Sequence, residues 1–375
     1  MSRKKAIVIG AGIAGLATAR ALATRNYAVT IIERSGKAVG ASVRNFGMIW
    51  PIGQPDGILY ERALHSKSIW KECCQEAGIW YEEAGSLHMA YHEDEWAVLQ
   101  ELADIYRHRG YQLLSPAQTL SRSPAVVPAG LKGSLYSPVE MIVEARDAIA
   151  AVAGWLSRKW NVDFIWGKVV TAITYPVVHM GTETCEADEI YICSGTDFET
   201  LYPQRFAAAP LTRCKLQMLR MQEQPQQWRI GPSLCGGLSL MHYTSFKAAT
   251  TLASLGLRYS HEYAEHLKWG IHVMVSQNAT GALTIGDSHE YGHTHDPFDR
   301  QFINHLILDY LAGFARFKDE TIIQTWSGIY PKLTNGQTEL ILEPEPGVWI
   351  INGLGGAGMT LSFGLCEELF RRRGM

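Results

Sequence analysis

Short unbroken apolar runs alternate with longer stretches of helical period along the first part of the chain. Ala6-Ile7-Val8-Ile9 is apolar at every position, the pattern of a strand buried on both faces of a parallel sheet. An alanine-rich helical segment follows to about residue 25, and residues 27–33 predict a second strand. Pro51 to Pro55 marks a break, after which 58–78 and 93–110 carry helical periodicity, and 111–138, rich in Ser and Pro, read as loop. Residues 141–159 read as a helix, 162–173 as a strand pair, and 189–195 as a buried strand ending in small residues. From 211 to 326 the period shifts toward two, with strands expected at 214–221, 234–246, 269–277 and 282–289 and one helix near 299–317. The first pattern then returns: a strand at 348–352, a glycine-rich turn, and a helix to about residue 373.

Composition narrows the function classes. The 375 residues are 47% hydrophobic and 19% charged, which excludes disorder and coiled coil. Thirty-four Lys and Arg against 37 Asp and Glu leave a net charge of −3, too little field to hold nucleic acid or an anionic membrane, so a small-molecule partner is expected. Seven cysteines, an odd number with an adjacent pair and no C-x-x-C, suggest neither a disulfide framework nor a zinc ribbon, and point to a reducing cytoplasm. Arg3, Lys4 and Lys5 before an apolar stretch imitate a signal peptide, but regularly spaced glycines and Arg20 interrupt that stretch. No window supplies the ~20 apolar residues of a transmembrane helix. The pattern leaves the oligomeric state open.

The first strand runs directly into Gly10-x-Gly12-x-x-Gly15 and a helix. This is the βαβ dinucleotide fingerprint: Gly10 for a tight turn, Gly12 for close approach of a pyrophosphate, and Gly15 for helix-strand packing. Ile13 and Ala14 open the helix whose N-terminal N–H groups face the phosphates, and Glu33, followed by Arg34, ends the second strand where a ribose hydroxyl needs an acceptor. Small residues at Gly40, Ala41 and Ser42 allow backbone approach in the next loop, where Ser42, Arg44 and Asn45 offer donors ahead of Phe46, Gly47 and Met48. Gly353-x-Gly355-Gly356-Ala357-Gly358-Met359-Thr360 makes a second glycine-rich strand-to-helix turn, again aiming a helix N-terminus at negative charge.

With these segments in this order, the chain resembles the D-amino-acid oxidase family of flavoproteins, in its glycine oxidase and sarcosine oxidase branch. The resemblance implies a mixed α/β (α+β) architecture. A Rossmann-like, discontinuous FAD-binding domain over 1–55, 141–200 and 335–375 would carry an inserted, mainly antiparallel substrate or cap domain over 56–140 and 201–334. It also implies that residues 40–48 wrap the pyrophosphate and reach the flavin, that Val170 packs against adenine, that Ser194 and Gly195 pass under the ADP ribose, and that the last glycine turn faces the flavin. The stretches 41–48 and 271–290 look like a subgroup associated with phosphonate catabolism, thought to oxidise N-methylated aminoalkylphosphonates.

Departures sharpen the expectation. Where glycine oxidase-like sequences read W-A-G-L-R-P, with an arginine on the substrate carboxylate, this chain reads Trp326-Ser327-Gly328-Ile329-Tyr330-Pro331-Lys332. A bidentate fork has become a phenol, and Lys332 is left to serve a differently placed anion as a point charge. No cysteine lies between 326 and 335, so FAD is expected to be non-covalent. Thr284 falls where relatives carry an oxygen-activating lysine. His289, His293, His295 and Asp296 have the spacing of a metal site, but Gly292 and Pro297 mark a turn, and no metal is expected. His242 and Tyr243 are placed on an alternating strand, pointing to opposite faces, with one lining the pocket. Gln217 is taken as structural. The expected activity is oxidation of a primary or secondary amine by hydride transfer to flavin N5, with imine hydrolysis and reoxidation by O2 or another acceptor. Tyr330, Lys332, Tyr243, His242 and Arg44 are the substrate-anchoring candidates, and N-methyl-2-aminoethylphosphonate or a related compound is the specific substrate expectation. Glycine, sarcosine or D-amino-acid oxidation, an NAD(P)-linked dehydrogenase, flavin hydroxylation and a flavin-binding sensor are the rivals.

Overall fold

Ala6 and Val8 face one hydrophobic core and Ile7 and Ile9 another, which is why the first strand needs no polar alternation. The computed structural model describes residues 3–375. Strand Lys5–Ile9 sits inside a six-stranded sheet of order Leu340–Glu345, Val348–Asn352, Glu189–Ile192, Lys5–Ile9, Ala28–Glu33, Asp163–Trp166. All neighbours are parallel except the first pair. Helices Ile13–Ala23, Ala145–Trp160, Ile58–Ala77 and Gly358–Arg372 pack together over one face. The other is covered by a small antiparallel sheet of Ala172–Thr174, Val177–Met180 and Glu183–Glu186, whose Val178 and Met180 share a core with Ile7, Ile9 and Ile190.

A nine-stranded, largely antiparallel sheet forms the second layer. Its backbone is the pairing of Leu211–Met221 with Ile322–Leu333, and helix Gln301–Ala312 packs on it through Ile303, Ile307 and Leu311. Gln217 clamps that helix, donating from Nε2 to the Arg300 carbonyl (3.0 Å) and to Asn304 Oδ1 (2.9 Å), in keeping with its structural reading. Among the described residues, no helix is long and apolar enough to cross a membrane.

Several elements differ from the expectation. The stretch 111–138 is not loop: it holds strands Gln112–Leu114 and Gly133–Ser137 and the helix Pro116–Arg122, whose start is closed by Ser115 and Gln118. Residues 141–143 are a strand rather than the first turn of a helix, because Met141 and Ile142 pair with Ile49 and Met48. The expected strand at 234–246 stops at Cys235, and consecutive 3-10 turns follow from Gly236-Gly237 onward. Two helices, Leu252–Glu262 and Ala264–Lys268, fill the stretch left unassigned between the expected strands at 234–246 and 269–277. The first buries only Leu255 and Tyr259, too few apolar positions for its period to show against polar neighbours.

Packing of the last helix on Ile58–Ala77 is close enough to require a glycine: a Cβ on Gly364 would lie 2.5 Å from the Arg62 carbonyl oxygen. Gly364→Ala is expected to destabilise the protein by about 1–3 kcal/mol, read as a lower urea midpoint at unchanged m. His88, buried in strand Ser86–Ala90 against Phe246 and Trp50, is driven down to about 3 by desolvation. The unfolded chain therefore binds a proton below its ordinary value of 6.5 that the folded chain refuses, so this group costs stability as pH falls from 6.5 toward 3. His88→Leu is expected to flatten the acid limb of the stability–pH curve, by up to about 3 kcal/mol at pH 4, in urea melts from pH 7.5 to 4.

Candidate active site

At the C-terminal ends of the parallel strands the chain reverses three times into small residues, and a cavity of about 1050 Å³ opens between these turns and the second sheet. Gly10 (φ +107°) makes the first reversal, where a Cβ would stand 2.4 Å from the Cys193 carbonyl oxygen. A Cβ on Gly15 would stand 1.9 Å from the Gly10 oxygen, so Gly15 serves helix-strand packing and lies behind the wall. Gly12, Ile13 and Ala14 line the cavity at the start of helix Ile13–Ala23, whose first turn holds no acidic residue. Glu33 accepts from Ala11 N (2.9 Å) and Ser35 N (3.0 Å), which fixes its carboxylate at the cavity edge with lone pairs to spare for hydroxyl donors. Arg34 is paired with Asp197 at the rim, and Val170, Ser194 and Gly195 complete this end. Gly353, Gly355, Gly356, Ala357, Gly358, Met359 and Thr360 form the opposite wall, at the N-terminus of Gly358–Arg372, also without an acid in its first turn. Two unopposed helix N-termini, with a fixed acid at the cavity edge, fit a dinucleotide with a central pyrophosphate, as FAD has.

The loop at 40–48 behaves differently from its expectation in three places. Ala41, Ser42, Phe46 and Met48 line the cavity, and Ser42 Oγ accepts from Ile13 N at 2.9 Å, tying the loop to the first helix. Asn45 lines the wall, yet its amide is spent on the loop: Nδ2 donates to the carbonyls of Ala41 and Ser42, and Oδ1 accepts from Gly47 N. Gly47 (φ +75°) is not on the wall; a Cβ there would meet the Val143 oxygen at 1.8 Å, so it permits packing rather than cofactor contact. Arg44 is exposed at the rim, with Nη1 on the Ser327 carbonyl (3.1 Å). Its guanidinium holds the loop to the neighbouring strand, which removes it as a buried substrate anchor.

Strand Ile322–Leu333 carries the even-numbered residues toward this loop and the last glycine turn. Trp326 Nε1 donates to the Arg44 carbonyl, and a Cβ on Gly328 would lie 3.1 Å from that same oxygen. Tyr330, 6% exposed, stands beside Gly356, and Lys332 bridges to Leu354. Both line the cavity. Lys332 donates to Tyr291 Oη (3.0 Å) and, like Lys247 on the same wall, has no ion-pair partner among the described residues. His242 and Tyr243 are not on an alternating strand. They join two 3-10 turns and therefore both reach the cavity, with Tyr243 donating to Met274 Sδ (3.1 Å). Thr284 turns away to Arg220 and is absent from the wall.

The structure also assembles a group that spacing along the chain conceals. His242, His272 and His289 each place a ring nitrogen within 4.8 Å of the others, with Asp287 alongside, 3.2 Å from His272 Nε2 and 3.9 Å from His289 Nε2. All four line the cavity. Burial, with mutual repulsion, holds the imidazoles of His242 and His272 well below their ordinary range and His289 at about 4, while it raises Asp287 well above the usual carboxylate range. Of the histidines weighed by spacing only His289 takes part; His293 is exposed, and His295 and Asp296 lie on the turn beyond it. This cross-strand placement could be read only once His272 and Asp287 are known to be neighbours, as the hydrogen bonds between their backbones show.

The sequence model of the family described as DAO, FAD dependent oxidoreductase, matches residues 5–372. The chain is 31% identical over 153 residues to the tRNA 5-methylaminomethyl-2-thiouridine biosynthesis bifunctional protein MnmC of Pseudomonas entomophila, covering 36% of this chain and 21% of that protein. It is 28% identical over 162 residues to the glycine oxidase of Geobacillus kaustophilus, covering 39% and 41%. These matches thus span about a fifth and two fifths of the relatives' lengths. In three dimensions the chain is similar to the glycine oxidase of Bacillus cereus, with a TM-score of 0.77 at 18% identity, over 99% of this chain and 96% of that one.

Glu33→Ala removes the acceptor of two backbone N–H groups and of any ribose hydroxyl. The variant is expected to bind FAD at least about 10-fold more weakly, measured as the ratio of flavin to protein absorbance during reconstitution of apoprotein.

Proposed function

The chain belongs to the DAO family of FAD-dependent oxidoreductases, and on that premise we propose that it oxidises a primary or secondary amine whose far end carries an anionic group. The observation that carries this reading is Lys332: on the same strand face as Tyr330, lining the cavity, and without a carboxylate partner among the described residues. The relatives named for methylaminomethyl-thiouridine biosynthesis and for glycine oxidation agree with an amine as the oxidised group. The phenol at Tyr330 cannot clamp an α-carboxylate as a guanidinium does, whereas Lys332 and Lys247 suit a multiply charged, less planar anion. N-methyl-2-aminoethylphosphonate or a related aminoalkylphosphonate is the substrate class that meets both conditions.

Bound FAD, held without a covalent link in this reading, supplies a two-electron acceptor for the hydride of the carbon bearing the amine. The protein's task is placement. Lys332 fixes the anionic end, Tyr330 and Tyr243 wall the pocket, and the apolar faces of Trp50 and Met274 keep water from the reacting carbon. The amine reacts in its neutral form, and the imine left by loss of hydride and a proton takes up water to give an aldehyde plus ammonia or methylamine. Reoxidation by O2 would then yield peroxide.

Anaerobic titration of the purified protein with glycine, sarcosine, 2-aminoethylphosphonate and its N-methyl derivative tests this reading through the oxidised-flavin band. Bleaching by the phosphonates and not by the amino acids is expected. Bleaching by glycine or sarcosine alone would return the protein to amino-acid oxidation, and a stable band with every amine would favour a flavin-binding sensor. Lys332→Met is expected to raise KM for the phosphonate about 10- to 100-fold while changing kcat far less, since a point charge on a non-reacting group contributes equally to ground and transition states.

A further inference from the structure

His272 is 3% exposed, and its Nδ1 is a buried polar atom without a hydrogen-bond partner; Asp287 Oδ1, close by, is another. Buried polar atoms in native proteins are nearly always partnered, so two orphans facing one cluster call for a ligand. The cluster's geometry says of what kind. Rings of His242, His272 and His289 have centroids 3.8, 4.7 and 5.2 Å apart, and one nitrogen of each already lies within 4.8 Å of those of the other two. His289 has Nδ1 2.9 Å from the Gly270 carbonyl oxygen, which fixes the proton on Nδ1 and leaves the Nε2 lone pair free. His272 Nε2 lies 3.2 Å from Asp287 Oδ1 without the alignment of a hydrogen bond, so the imidazole keeps Nδ1 unpartnered with the Asp287 carboxyl alongside. His289, anchored through Nδ1 by a carbonyl with Nε2 left free, has the arrangement that metal-binding histidines adopt.

We infer that His242, His272 and His289 form a binding site for one divalent transition-metal ion of the imidazole-preferring kind, Zn2+ being the simplest case, with Asp287 orienting His272. Three nitrogens at ~2.1 Å from an ion stand about 3.4 Å apart when tetrahedral, so closure draws the rings together by little more than an ångström. The stacked pair His242 and His272 is the one that must tilt, and His242, in a turn between two 3-10 segments, is the ring free to do so. Three protein ligands leave a fourth position open toward the cavity. The inference rests on the histidine geometry alone and holds whichever amine is oxidised.

Equilibrium dialysis of the FAD-containing protein against buffered free Zn2+ at pH 7.5, with metal and flavin quantified together, tests it. One Zn2+ per flavin at low-micromolar free metal or below is expected. Co2+ in its place should add d–d absorption on the long-wavelength side of the flavin band. His272→Ala and His289→Ala are expected to weaken binding at least about 100-fold, and Asp287→Asn about 10- to 100-fold, while His293→Ala leaves it unchanged. Failure of the folded, flavin-loaded wild type to hold a stoichiometric Zn2+, or binding that survives both histidine substitutions, would overturn the site. Should the alanine variants lose flavin, the wild-type stoichiometry and Asp287→Asn, whose side chain is nearly isosteric, decide the matter.

Discussion

Everything in this molecule is arranged around backbone coming within atomic contact of backbone at one edge of the parallel sheet. Gly10 abuts the Cys193 carbonyl, Gly15 abuts Gly10, and the strand ending at Asn352 delivers a third turn beside them. A side chain at either of the first two positions would clash with backbone and force the turn and its helix N-terminus apart. The tight turns therefore decide where two helix dipoles converge, and convergence of two positive ends makes the site selective for a central pair of phosphates.

A second constraint places the substrate half. The long pairing of Leu211–Met221 with Ile322–Leu333 sets a register in which Trp326, Gly328, Tyr330 and Lys332 share one face. That face is held to the cofactor loop at Gly328 and to the last glycine turn at Tyr330, so a shift by one residue would turn all four side chains away. The identity of residue 330 matters because this face permits no substitute from a neighbouring position; only Lys332, one step further along, brings charge to the same wall.

What the sequence reveals follows from how local each signal is. The glycine turns, Glu33 and the strands around them carry signals that lie within about thirty residues of one another in the sequence, and they were legible. So was the antiparallel second layer in outline, through its period of two. The helices at Leu252–Glu262 and Ala264–Lys268 were not, since one buries two apolar residues and the other none. Asn45 and Arg44 were assigned to the cofactor for their donors and Gly47 for the loop's resemblance, whereas their hydrogen bonds and packing hold the loop in shape and tie it to its neighbours. The histidine cluster was invisible for the opposite reason. It is built from a turn and two strand ends separated by up to 47 residues, and the one local cluster of histidines, near 293, drew attention away from it.

Charge in the cavity must be reckoned from environment rather than from residue names. Asp287 and Lys332 line the same cavity, but burial raises the Asp287 carboxyl well above the usual range, which weakens its power to cancel the lysine's charge. The three buried imidazoles are neutral for the same reason and contribute lone pairs instead of charge. The substrate side of the cavity is thus positive through its lysines and electron-rich through its histidines. An anion is drawn to the first, a metal cation to the second, and the two attractions reinforce each other, because an ion held by three neutral ligands keeps its full charge and offers an open position to whatever anion Lys332 attracts.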